Sequence, residues 1–121
     1  MNVSVDIWLR GENHATTVTL PSMANEPGAW TEADVAEVLT GMLRAMDKAS
    51  NPNSDETRPV ALRGFSWIVD PFEAGGVVIA LELSLGAAVA GPFDIAERDL
   101  TKLIQKVVDS ARMPPGSATV H

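Results

Sequence analysis

Two hydrophobic rhythms alternate along this chain, and their order limits the folds open to it. Val3, Val5, Ile7 and Leu9 fall on one side of residues 3 to 9, and Ser4, Asp6, Trp8 and Arg10 on the other. A period of two belongs to a half-buried strand, whose successive side chains point to opposite faces. Beyond Thr31 the period lengthens. Val35, Val38, Leu39, Met42, Leu43, Met46 and Ala49 form one stripe at helical spacing. A strand with one apolar face and a helix with one apolar stripe must each be buried against another layer.

The rest of the chain repeats this order. Gly11 to His14 reads as a hairpin loop, Ala15 to Leu20 as a second strand rich in Thr and Val, and Pro21 as its end. Thr31 and Asp34 have the spacing of a capping box at the first helix, with Trp30 and Val35 as a hydrophobic staple around it. Asn51-Pro52 stops that helix, and the polar, proline-bounded stretch from Ser50 to Pro59 reads as a loop. Val60 to Val69 and Val77 to Leu85 are expected to be strands three and four, joined by a turn through Gly75 and Gly76. Gly86 to Pro92 reads as a small-residue connection. Asp94 and Glu97 then have capping-box spacing before a second helical stripe of Ala96, Leu100, Leu103, Ile104, Val107, Val108 and Ala111.

The expected fold is therefore α+β, a two-layer sandwich of order ββαββα. Its four-stranded, mostly antiparallel sheet carries both helices on one face. Residues 1–113 form one domain, and 114–121 a flexible tail.

Composition narrows the function classes. Nine Lys and Arg against 16 Asp and Glu give a formal charge of −7, and no basic cluster offsets it, so nucleic acid is not an expected partner. The chain has no cysteine, which excludes disulfides and thiolate metal sites. Met1 to Asp6 lacks the basic lead and apolar run of a secretory signal. Ala74 to Phe93 is apolar, but Glu82 would sit at the bilayer centre and four glycines weaken a helix there. The expected setting is cytoplasmic and soluble, with no membrane contact.

No complete catalytic constellation emerges. His14 and His121 are too few and too far apart for a zinc site, and the Asp70–Glu73 pair in a turn is read as solvated. His14 beside Glu12 reads as a loop histidine rather than a general base. Gly86 to Gly91 has the opening spacing of a phosphate-binding loop, but Pro92 and Phe93 stand where Lys and Ser/Thr are required. Asp6 and Glu82, both on the less apolar strand faces, are the best acid–base candidates, provided their strands are neighbours. No cofactor and no metal are expected.

The second sheet face is more informative. With the helices over Val3, Ile7, Ile79 and Leu83, the opposite face carries Trp8 and Val78. It also carries either Phe65 and Trp67 or Leu62 and Ile68, depending on register. Such a patch is rarely left in water. The expected function is a non-enzymatic domain that self-associates, foremost as a homodimer, or binds a protein partner through this face. Trp8, Phe65, Trp67 and Val78 are its expected interface. The alternatives are a cofactor-independent enzyme or small-ligand binder with a cleft over the sheet, and an acidic inhibitor or immunity-type protein.

Overall fold

The computed structural model describes residues 2–21, 23–53, 62 and 64–112. The elements run β1 (Val3–Leu9), β2 (Thr16–Leu20), a short 3-10 turn (Pro27–Ala29) and α1 (Glu32–Ser50). They continue through β3 (Ser66–Pro71), β4 (Val77–Leu83), β5 (Gly86–Phe93) and α2 (Glu97–Arg112). The class is α+β, but the described residues form a five-stranded sheet, and their order is ββαβββα. Gly86 to Phe93 is a strand rather than a connection. The start of the expected third strand, the Ser54–Pro59 part of the expected loop and the expected tail lie outside the described residues. The sheet is antiparallel throughout, in the order β2-β1-β5-β4-β3. β5 closes it by pairing with the first strand on one side and the fourth on the other.

The chemistry of β5 explains its place. Ala88 and Ala90 point to the helix side and are fully buried, and their small side chains let α1 lie close over the centre of the sheet. Between Val77 and Ile79 the β4–β5 register slips by one residue, so Gly91 and Pro92 together oppose Val78. The bulge accommodates Pro92, which has no N–H for the ladder. It also reverses the phase of the strand, so that Phe93 points inward. There Phe93 meets Trp30 edge to face, with ring centroids 4.9 Å apart.

Both helices cover one face, with α1 over β1, β2 and β5, and α2 against α1 and β3. The core is the face expected from alternation, Val3, Val5 and Ile7 with Val77, Ile79 and Leu81. The stripes of Val35, Leu39, Met42 and Met46 from α1 and Leu100, Ile104 and Val108 from α2 close over it. The strand-three hairpin forms as expected, with Gly75 and Gly76 both at positive φ in its turn. No helix among the described residues is long and apolar enough to cross a membrane. The apolar stretch from Ala74 to Phe93 is instead the β4–β5 hairpin with its flanking turn.

The helix starts divide. At α1 the capping box is complete: the Asp34 N–H donates to Thr31 Oγ1 at 3.3 Å, and the Thr31 N–H donates to Asp34 Oδ2 at 3.0 Å. At α2, Asp94 is not the cap. The Leu100 N–H bonds to the Ala96 carbonyl, so Ala96 holds that position and Asp94 lies in the turn before it. Thr31→Ala is therefore expected to cost about 0.5–2 kcal/mol in a denaturant melt, and Asp94→Ala to have no capping effect. The Asn25 amide and then the Thr31 N–H hold the Asp34 carboxyl below its ordinary range. A lowered carboxyl stabilises the fold above its unfolded value of about 4, and that contribution disappears as pH falls through the lower folded value. The destabilisation caused by Asp34→Asn should accordingly be present at neutral pH and shrink in acid. A pH-independent difference would contradict the assignment.

Candidate functional site

Residues paired directly across an antiparallel ladder share a face, so the register assigns every strand residue to a side. Three rows cross the face without helices. The first runs Trp8, Ala87, Glu82, Ser66. The second runs Thr17, Asp6, Val89, Ala80, Ile68. In the third, Thr19 pairs with Ser4 at one end and Val78 with Asp70 at the other. Val89, Ala80 and Ala87 make a low apolar centre, flanked by Trp8 at 41% exposure and Ile68 at 56%.

This arrangement decides between the two registers open to the third strand. Trp67 pairs with Leu81 and points to the helices, and Phe65 and Leu62 are half-buried against the same core. Ile68 is the third-strand apolar residue on the outer face. Of the four expected interface residues, Trp8 and Val78 lie on that face, and Phe65 and Trp67 do not. Sequence reasoning missed Ala87 and Val89, because they lie in a run of small residues where Ala87, Ala88, Val89 and Ala90 offer no polar–apolar contrast.

Asp6 and Glu82 are not brought together. β5 lies between their strands, and they stand in different rows. Two strand spacings and one pair step separate their Cα atoms by roughly 12 Å. Asp6 instead accepts a hydrogen bond from Thr17 Oγ1 at 2.7 Å. Glu82 is exposed. The acid–base reading has no geometry behind it here. His14 lies on the exposed β1–β2 loop, 3.6 Å from the Glu12 carboxylate. The described residues contain no group of three potential metal ligands. Gly86 to Ala90 is paired strand on both sides and Gly91 lies in the bulge, so this run is part of the sheet rather than a phosphate-binding loop.

Three carboxylates, Asp6, Glu82 and Asp70, share the outer face with Trp8. Arg10 lies at its margin, where its Nε donates to the Ser84 carbonyl at 2.8 Å and ties the β1–β2 loop to the β4–β5 turn. The site is a weakly acidic sheet surface with an apolar middle, a composition suited to packing against another surface. The chain matches no protein-family model, no curated protein and no solved structure.

Proposed function

We propose that this chain is a non-catalytic association domain, and that the occupant of its outer sheet face is a second copy of itself. The observation that carries this reading is the one-sided cover: both helices lie on one face, and the other presents Trp8, Val89, Ala80 and Ile68.

The rows make the face complementary to itself. A two-fold axis running along β5 would lay β1 of one copy over β4 of the other, and β2 over β3, with rows preserved. Glu82 then faces Trp8, whose indole N–H can donate to its carboxylate. Asp6 faces Ala80, Asp70 faces Thr19, and Val89 faces Val89. None of the three carboxylates meets a carboxylate. An axis across the strands would put Asp6 on Asp6, and like charges at a desolvated contact disfavour that pairing.

The footprint is about 24 Å by 20 Å from strand spacing and rise, so two copies would bury about 1,000 Å², the lower end for a specific interface. Micromolar association is the corresponding expectation. Light scattering after size exclusion should report a dimer at tens of micromolar. Trp8→Asp and Val89→Arg should each shift it to monomer with an unchanged circular dichroism spectrum, because each places a charge in the contact without touching the core. A monomer at every concentration, or a dimer indifferent to both substitutions, would overturn the proposal.

A further inference from the structure

Within one chain β5 keeps Asp6 and Glu82 apart, but the pairing of outer faces returns them to each other across copies. The rows fix how. With β1 of one copy over β4 of the other, Trp8 stands over Glu82 and Asp6 over Ala80. Ala80 and Glu82 are two residues apart on one strand. Asp6 of one copy is therefore one row, about 7 Å, from Glu82 of the other along facing strands. Packed sheets lie about 10 Å apart, and the two side chains extend into that gap from opposite sides, which brings their carboxylates within roughly 5–8 Å. The two-fold axis makes two such pairs, one on either side of β5.

The surroundings of the pair do little to offset its charge. In its own sheet Asp6 is half-buried, accepts from the Thr17 hydroxyl at 2.7 Å and has Val89 beside it on β5. Glu82 has Ala87 beside it on β5 and Ser66 on β3. From the facing copy Asp6 meets Ala80 and Glu82, with Asp70 one strand and one row away, and Glu82 meets Trp8 and Asp6. Among the described residues the three rows contain no Lys, Arg or His. Arg10 stands at the margin with its Nε engaged by the Ser84 carbonyl, and His14 lies beyond it on the exposed loop beside Glu12. Each copy thus brings three carboxylates to the contact, in a chain whose formal charge is already −7.

We infer that self-association through the outer face is gated by protons held between Asp6 of one copy and Glu82 of the other, so that it is weak at neutral pH and strengthens in mild acid. The inference rests on the proposed pairing of outer faces. Two carboxylates brought together and partly out of water oppose the contact. A proton on either one removes that repulsion and supplies a donor for the other. The dimer therefore binds more protons than two separate chains, and linkage fixes the sign: association strengthens as pH falls. The two pairs in the dimer are equivalent, so their effects on the dissociation constant multiply.

The test is sedimentation equilibrium of the full chain at about pH 7.5 and about pH 5.0 and fixed ionic strength, with circular dichroism at both to confirm an unchanged fold. The dimer dissociation constant should fall at least about fivefold from the higher pH to the lower. Asp6→Asn keeps an oxygen for the Thr17 hydroxyl, and Glu82→Gln keeps one for the Trp8 indole of the other copy. Either substitution should tighten the dimer at the higher pH and remove most of the pH dependence. Asp99→Asn, at an exposed position on α2, changes the net charge equally and should leave the pH dependence in place. A dimer whose constant ignores pH or rises in acid, or whose pH dependence survives both Asp6→Asn and Glu82→Gln, would overturn this inference and leave outer-face association standing. A chain that is monomeric at both pH values would overturn both.

Discussion

Replacing Gly86 by Val is expected to destabilise the domain by about 2–6 kcal/mol, the sum of a backbone and a steric cost. Gly86 opens β5 at φ +154°, and an added Cβ would fall against the carbonyl oxygen of Trp8 and within 2.9 Å of Leu9 Cα. Neither obstacle is the end of a flexible side chain. Both are backbone of β1, held by the pairing of Gly86 with Leu9 and Ala87 with Trp8. The strand must therefore move, and the β1–β5 ladder that joins the two halves of the sheet moves with it. Since domains of this size are held by about 5–15 kcal/mol, the upper end of that range leaves little folded protein at physiological temperature. Gly11→Ala is the matched control. Gly11 also has positive φ, at +90°, but nothing lies within 4 Å of its added Cβ. Only the backbone term applies there, about 1–3 kcal/mol. Denaturant melts of the two variants should separate clearly. Equal losses would mean that the close approach of β5 to β1 does not constrain the fold.

Phe93→Ala should cost about 3–5 kcal/mol, the range for emptying a buried aromatic site. Phe93 is fully buried at the end of β5, and its ring meets the Trp30 indole edge to face. Trp30 is itself fixed, since its Nε1 donates to the Asn25 carbonyl at 3.1 Å and Thr31 beside it caps α1. The cavity thus adjoins a segment that cannot easily collapse into it, which places the loss toward the upper part of the range. The loss should be strongly non-additive with Trp30→Ala, because the two residues share one contact. Purely additive losses, or a single-variant loss below about 1 kcal/mol, would show that this corner of the core repacks freely.

These two positions mark the part of the fold that local pattern does not disclose. Gly86 and Phe93 bound a strand made largely of Gly, Ala and Pro, residues depleted in strands. Its alternation changes phase at the bulge. Period-two reading works where polar and apolar residues contrast, as in β1, and it has nothing to act on in Ala87-Ala88-Val89-Ala90. What makes β5 a strand is the pair of ladders on its two sides, which are long-range contacts. The expected four-stranded sheet failed at this strand, and the Asp6–Glu82 pair failed with it, because β5 separates their strands.

The sequence by itself determined the elements whose information is local. Alternation set the buried face of β1 and left Trp8 on the other. Helical spacing set the core stripes of α1 and α2, and the Thr31–Asp34 spacing set the start of α1, since a cap needs only its own first turn. Only the tertiary structure decided what depends on partners distant in sequence. It inserted β5 between β1 and β4, and turned Trp67 inward and Ile68 outward. It placed β2 at the edge of the described sheet, beside the small residues of α1. Facing and adjacency are properties of strand pairs, and a chain read residue by residue contains the faces of its strands but not the order in which they meet.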